Sequence, residues 1–380
     1  MSTQWEDAAR EVASALAADA VEREAKGGEP RAEVDLLRAH GLLTVPVGDW
    51  PLVHRVLAEV AAADASVGHL LGYHYLHVWR LGLFGRPEYA DEARRATAEH
   101  GWFWAGVANP RDDALVMSEV DGGYLVSGRK MFATGASVAD RLVVSAVHGA
   151  RKVTFVCPGD APGLRPLGDW DNLGQRLSAS GGVEFTDVFV PEHDILGAQP
   201  DPADPRYPMA NLPALAFQLV LSRVLTATAR GALATAADYT RRFTRAWPAS
   251  GVEKAVDDPH TLAAYGVLTA RTDAADLLVD RAAAAFAAAD AEGPALTPEQ
   301  RGATGLAIAS AKALASEVAL EVTGRVFELT GARATANRYG LDRFWRNART
   351  LTLHDPAVYK AAEVGRHLLT GELPPVTGYS

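Results

Sequence analysis

The feature that most constrains this chain is a double change of pattern along its length. From Gln4 to His100 apolar residues recur at three- and four-residue spacing, with breaks at Gly27-Gly28, Gly41, Gly48 and Gly85, which predicts helices. At Gly101 the pattern turns to short alternating runs: LVMSEV, YLVSGRKMFATG, RLVVSAV, KVTFVC and GGVEFTDVFVP. Asp121-Gly122-Gly123 and the HGAR turn at 148–151 punctuate them. Such alternation predicts antiparallel strands. Beyond the proline-rich stretch 198–213 the helical spacing returns. The expectation is an α+β protein: an N-terminal all-α domain (1–100), a central antiparallel β-barrel or sandwich domain (101–200) and a C-terminal four-helix bundle (201–380). A chain of 380 residues exceeds what one growing core supports, so packed domains agree with its size.

Local signals bound the bundle helices. One is expected over 214–245, before Trp247-Pro248, and a second from Asp258-Pro259 to Gly293-Pro294. The third starts at Thr297-Pro298-Glu299-Gln300, where Thr297 caps and Gln300 reaches back, and stops at Gly331. A fourth spans about 356–370 and ends at Gly371. At ~1.5 Å per residue the first three are each roughly 45–50 Å long.

Charge and composition exclude several classes. Lys+Arg 37 against Asp+Glu 47 leaves a formal charge of −10, which argues against general attraction to nucleic acid or anionic membrane. The lone Cys157 has no internal disulfide partner, and the acidic start MSTQWEDAAR is unlike a secretion signal, so a cytoplasmic protein is expected. The apolar run LPALAFQLVL (212–221) falls short of the ~20 residues of a membrane helix, so no span is expected. No strand is followed by GxGxxG, and GxxxxGK[ST] is absent.

Two segments concentrate chemistry. In LDRFWRNARTLTLHDPAVYK (341–360), Asp342, Arg343, Arg346, Arg349, His354 and Asp355 alternate with Phe344 and Trp345. Pro356 moves the preceding residue out of helical geometry, so Asp355 is a plausible N-cap and His354 sits at a helix entrance. The arginines could equally form an ion-pair ladder with Asp342 and Glu363. The apolar helix GHLLGYHYLHVWRLGLFG (68–85) carries His69, His74 and His77. His74 and His77 share a face without a third ligand, so no metal is expected. A proton-handling role is expected for one of them, with His74 the candidate.

These motifs resemble the acyl-CoA dehydrogenase superfamily over nearly the whole chain. GRKMFATGA (128–136) resembles the strand that places a Ser or Thr against the flavin, here Thr134. WDNLGQRLSASGGVEFTDVFVPEHDILG (170–197) resembles the strand closing the domain beside flavin and substrate. DRFWRNARTLTLHDP resembles the dehydrogenases' ERLYRDARxxxIYEGT, and here the sequence departs. From the shared RNAR core, the dehydrogenases' tyrosine and catalytic glutamate fall on His354 and Asp355, and their Gly-Thr on Pro356-Ala357. The shorter carboxylate before proline weakens α-proton abstraction.

RNARTxTLHDPxxYK instead resembles the group D two-component flavin monooxygenases, particularly the branch that oxygenates dibenzothiophene and indole. The GYH tripeptide and RAWPASGVEKAVDDPHTLAAYG (245–266) resemble the same branch. The resemblance implies reduced FMN or FAD delivered by a separate NAD(P)H:flavin reductase, O2 as co-substrate, a C4a-hydroperoxyflavin, and a homotetramer that binds flavin between subunits. It implies oxygenation of a hydrophobic, aromatic or polycyclic small molecule. Thr134 would donate to the flavin edge, His354 exchange a proton, and Asp355 orient the imidazole. Trp170 would pack beside the flavin, Asn109 contact it, and Arg245, then Arg333 and Arg346, bind its phosphate. The aromatic segments 73–84 and 102–104 would wall the pocket. The alternatives are a thioester dehydrogenase with Asp355 as base, an amine or amino-sugar N-oxygenase, and a flavin-free scaffold.

Overall fold

The computed structural model describes residues 2–109 and 115–380, with the side chains of Ser2 and Thr3 excepted. Five helices come first: α1 (Ser2–Lys26), α2 (Arg31–Ala39), α3 (Trp50–Ala63), α4 (Ala65–Arg80) and α5 (Pro87–His100). Strands follow: β1 (Trp104–Val107), β2 (Val116–Val120), β3 (Gly123–Lys130), β4 (Arg141–His148), β5 (Arg151–Pro158), β6 (Leu164–Pro166), β7 (Val183–Pro191) and β8 (Ile195–Ala198). The chain ends in α6 (Tyr207–Ala210), α7 (Leu212–Phe243), α8 (Pro259–Glu292), α9 (Pro298–Thr330), α10 (Asp342–Leu351) and α11 (Ala357–Thr370).

The α+β architecture expected from the pattern changes is present, and the sheet refines it. Its strand order is β6-β7-β3-β2-β4-β5-β8, with β1 on β4. The neighbours β2/β3, β3/β7, β4/β5, β5/β8 and β6/β7 are antiparallel as expected. By contrast β1 runs parallel to β4, from Trp104↔Arg141 to Val107↔Val144, and β2 meets β4 through the parallel bridge Val116↔Val147. Alternation reports which side of a strand is buried, not the direction of its neighbour, so these parallel contacts were invisible in the pattern.

The bundle helices start and stop where their capping chemistry predicts. Asp258 accepts from His260 N at 2.8 Å to open α8, while Thr297 and Gln300 complete a reciprocal box at α9 (3.2 and 2.9 Å). Gly371, in the left-handed region at φ +76°, ends α11. The Tyr207–Phe243 and Pro298–Thr330 segments are, against the sequence expectation, long and apolar enough by length and composition to cross a membrane. Their most apolar windows are 83% and 56% buried within the fold, as core helices of a bundle are. One hydrophobic core runs continuously through α1, α3, α4, the sheet and the inner ends of α7–α9; a second fills the far end of the bundle around Tyr239, Val322 and Phe344.

At the centre lies α4, all sixteen of whose residues are buried. A single residue, Asp64, separates it from α3. Its carboxylate caps α4 by accepting from Ser66 N (3.0 Å) and Val67 N (3.1 Å), and its other oxygen accepts from Arg23 at 2.7 Å. Glu33 lies 3.4 Å from the same guanidinium. Burial works against the charge on Arg23, but Asp64, Asp19 and Glu33 raise its pKa above the usual arginine value. The start of α4 is therefore set by a buried charge pair as well as by packing. Asp64→Ala removes the cap and leaves a buried cation short of its main partner, and is expected to lower unfolding free energy by about 3 kcal/mol, measured by urea denaturation.

Candidate active site

The site forms where α4, the 170–182 loop, the β3 end and α10–α11 meet. Thr134 is buried, and its Oγ1 lies 2.8 Å from Ser180 Oγ, which lies 2.7 Å from Ser178 Oγ. Ser178 donates its hydroxyl to Gln175 O at 2.9 Å, and the Trp170 indole donates to the same oxygen at 2.7 Å. Gln175 is fully buried at φ +57°, a left-handed conformation costing an L-residue roughly 1–3 kcal/mol, so its surroundings must hold it there. They do so from two sides. Its backbone N–H donates to Asn347 Oδ1 on α10, and its Oε1 lies 3.1 Å from His69 Nδ1 on α4. Gly174 permits this approach, since a Cβ there would sit 2.1 Å from Arg346 O.

From His69 the arrangement continues along α4. Its ring meets Tyr73 edge-on at 4.3 Å, and the Tyr73 hydroxyl lies 3.5 Å from His354 Nε2. His354 Nδ1 lies 3.2 Å from Asp355 Oδ2, and Lys312, fully buried on α9, donates to the His354 carbonyl at 2.7 Å. Asp355 is not the N-cap the sequence suggested. That position falls to Pro356 with no side-chain cap, while Asp355 takes φ +52° and turns its carboxylate to His354. Burial opposes its charge, but the His354 hydrogen bond and the charges of His354, Lys312 and Lys360 prevail and hold its pKa below the usual carboxylate value. Burial drives Lys312 down to about 8 despite the Asp355 charge.

The remaining sequence candidates divide. Trp170 and Thr134 belong to this network, but His74 does not converge with His354. Its Nε2 donates to Leu43 O (2.8 Å), its Nδ1 accepts from Trp104 N (3.1 Å), and its ring stacks on Phe103. Both nitrogens are thus taken by backbone. Arg346 is held by Asp342 (2.8 Å), buried Glu24 (3.0 Å) and Leu173 O (3.0 Å), bracing the loop against α10. The expected ladder stops there: Arg343 covers the Phe344 ring and Glu363 pairs with Lys360. Arg245 and Arg333 are both exposed on the surface, Arg245 two residues from exposed Trp247. Asn109 accepts from Lys130 Nζ through its carbonyl at 2.8 Å; the rest of that expected flavin-contact region, 110–111, lies outside the described residues.

Residues to which sequence reasoning gave no individual site role are His69, Tyr73, Gln175, Ser178, Ser180, Phe132 and Lys312. The signal for His69 and Tyr73 was their four-residue spacing, which places them on one helical face. Gln175 and Lys312 had none, because their roles come from contacts across domains.

The residues present suit a flavin. Ala133, Ser137, Trp170, Gly181, Gly28 and Glu29 line a cleft open to solvent, with a cavity of about 90 Å³. At its rim Phe132 sits at φ +57°, 63% exposed, with its ring 6.3 Å from Trp170. An exposed ring in a strained backbone position beside an indole suits stacking on a planar heterocycle. His69 Nε2 and Gln175 Nε2 are buried without a hydrogen-bond partner, an expensive state that a bound polar ring system would relieve.

This site on this architecture defines a flavin-dependent oxidoreductase of the acyl-CoA dehydrogenase fold. The family described as "Acyl-CoA dehydrogenase, C-terminal domain" matches residues 219–358. Dibenzothiophene monooxygenase of Mycolicibacterium goodii is 39% identical, covering 97% of this chain and 94% of that protein. The probable FMNH2-dependent monooxygenase SfnC of Pseudomonas putida is 38% identical, covering 98% and 96%. The structure of methanesulfinate monooxygenase MsuC from Pseudomonas fluorescens superposes with TM-score 0.93 at 39% identity, over 99% of both chains. The chain belongs to the flavin-dependent monooxygenases built on the acyl-CoA dehydrogenase fold.

Burial keeps the α4 histidines neutral. It lowers His69 to about 3, against the Gln175 hydrogen bond, and His74 to about 4, against the Leu43 carbonyl. It also lowers His77, with Arg80 and His74 adding to the effect, and His54 on α3, with Arg223 adding. For each the folded pKa lies below the unfolded one, so as pH falls through about 6.5 the unfolded chain takes up protons that the native state refuses. Stability should therefore decline below pH 6.5 by about 1.4 kcal/mol per pH unit for each histidine. Urea midpoints between pH 7 and 5 check this, and His54→Leu should remove one proton from the slope.

Proposed function

We propose that the chain oxygenates a hydrophobic small molecule, aromatic or polycyclic in its apolar part, using reduced FMN delivered by a separate NAD(P)H:flavin reductase, and O2. The observation that carries this reading is the Tyr73–His354–Asp355 contact, joined to Thr134 through Gln175 and the serine pair. The named relatives support FMN over FAD, since one is called FMNH2-dependent. Exposed Phe243 and Trp247 beside Arg245 support a homotetramer in which Arg245 and Arg333 reach a neighbouring subunit's flavin phosphate. The lone buried Cys157 supports a cytoplasmic setting, where a reductase can supply the flavin.

When bound, the reduced flavin supplies the electrons and activates O2. The chain's own residues do the rest. Thr134 and the buried Gln175 and His69 nitrogens would hydrogen-bond its polar edge, while Phe132 and Trp170 pack at its ring. Asp355 fixes the tautomer of His354 by accepting from Nδ1, leaving Nε2 to exchange a proton with Tyr73 or substrate. Lys312 holds the His354 backbone and balances the Asp355 charge. The Tyr73 and Phe217 rings, 4.8 Å apart, keep water from the pocket on that side. His74 braces β1 against α4 and supports the site indirectly. Asn109 is a further proposed flavin contact.

If this is right, His354→Ala keeps its fold and FMN affinity but loses product and releases hydrogen peroxide in proportion to NADH oxidised. Full product yield from that variant would sink the assignment. A second outcome concerns pH. Lys312 carries its charge below about pH 8 and loses it above, so product formation should fall as pH rises through 8. Lys312→Met should lack that alkaline limb in a kcat–pH profile.

A further inference from the structure

The α4 face that carries His69 and Tyr73 continues to His77 and Arg80, at positions 69, 73, 77 and 80, which helical geometry places along one stripe. Phe217 on α7 lies against all three outer members: its ring is 4.8 Å from Tyr73, 5.8 Å from His77 and 6.0 Å from the Arg80 guanidinium carbon. The stripe therefore runs from the His354 contact along the Phe217 ring to Arg80. Long helical side chains lean toward the N-terminus, so the Arg80 head lies over the His77 turn, toward Tyr73.

Arg80 is only 7% exposed and is unlike the other buried cations. Arg223 has Asp276 and Asp280, and Lys360 has Glu363. Arg301 donates to Asn211 O and Thr377 O, Lys312 to His354 O and Lys130 to Asn109 O. Among the described residues Arg80 has neither a carboxylate nor a carbonyl. Its Nη1 reaches His77 Nδ1 at 3.3 Å, its Nε has no partner, and its Nη2 makes no hydrogen bond. Burial pushes Arg80 down to about 10. The position of Arg80 at the C-terminal end of α4 favours a cation only weakly, too little to explain a buried, unneutralised guanidinium.

We infer that Arg80 is an anion subsite of the substrate pocket. The substrate joins an apolar body, packed on Phe217 and Tyr73, to a small oxyanion such as a carboxylate or sulfinate. This rests on the oxygenase reading for what happens to that substrate, but the binding claim stands apart from turnover. The Nε–Nη2 edge of Arg80 presents two N–H donors in the geometry that an oxyanion accepts in bidentate fashion. His77, kept neutral by burial, fixes the remaining nitrogen without neutralising the charge. Gly106 makes room for that imidazole, since a Cβ there would lie 2.1 Å from its Cε1.

The test uses the purified full chain without reductase and two matched pairs of probes: benzenesulfinate against methyl phenyl sulfone, and benzoate against methyl benzoate. Affinities are measured by calorimetry at two salt concentrations. The wild type should hold each anion about 10- to 100-fold more tightly than its neutral partner, the return expected of a charge-assisted hydrogen-bonded pair. Arg80→Met should erase that preference and Arg80→Lys keep part of it. The melting temperature of Arg80→Met should not fall, because the substitution removes a buried cation that has no acidic partner. Equal wild-type affinity for anion and neutral probe, or a preference that survives in Arg80→Met, would overturn the proposal. Anion binding without oxygenation in the reductase-coupled assay would leave the subsite standing and defeat the oxygenase reading instead.

Discussion

The site depends on how Gln175 is held. A buried polar residue in left-handed backbone is doubly unfavourable, and it persists because three parts of the fold pay into it at once: α10 through Asn347, α4 through His69, and the β-region through Trp170 and Ser178. That convergence ties the middle of the 170–182 loop to α4 and α10, and so relates Thr134 and the serine pair to His354. Gly174 and Arg346 serve the same end from the α10 side, one by allowing backbone contact and the other by gripping Leu173 O and Glu24. The arrangement positions buried polar groups from three separate stretches of chain on one rigid frame.

The second organising constraint is the burial of α4. A helix surrounded on all sides keeps its histidines neutral and raises the pKa of Tyr73, through desolvation and the nearby Asp355 charge. His354, the proposed proton-exchanging group, is set just outside that environment. The His354 side chain is 47% exposed and paired with a carboxylate, so the arrangement separates a dry, uncharged wall from a dyad that can move a proton. Lys312 links the two, being buried itself while holding the His354 carbonyl. The same dryness explains why Arg80 stands out. In a wall of neutral rings, an unneutralised guanidinium is a recognition element or an expensive accident, and its placement beside Phe217 favours the former.

Local chemistry was readable where the determinant is local. The Thr297–Gln300 box, the Asp258 cap and Gly371 put helix ends within a residue or two of their expected places, because caps act over one turn. Thr134, Trp170, His354 and Asp355 came from motif resemblance, and the structure brings them into one network. His74 was preferred over His69 because a histidine's neighbours on a buried helix are set by what packs there. Leu43 O and Trp104 N claim His74, while Gln175, 106 positions away in sequence, claims His69. Asp355 was misread as a cap for a related reason: proline sets the preceding backbone locally, but His354 and Lys312 decide where the carboxylate turns.

The sequence by itself determined the succession of helical, stranded and helical regions, the ends of the long helices and the family to which the chain belongs. These follow from side-chain periodicity, capping and contiguous motifs, all of which are written along the chain. Only the tertiary structure decided which histidine faces the site, that β1 runs parallel to β4, that Gln175 is the meeting point of three regions, and that Arg80 is buried without an acid among the described residues. Those outcomes depend on which distant groups compete for the same buried hydrogen bonds and charges, and that competition is settled only when the elements pack.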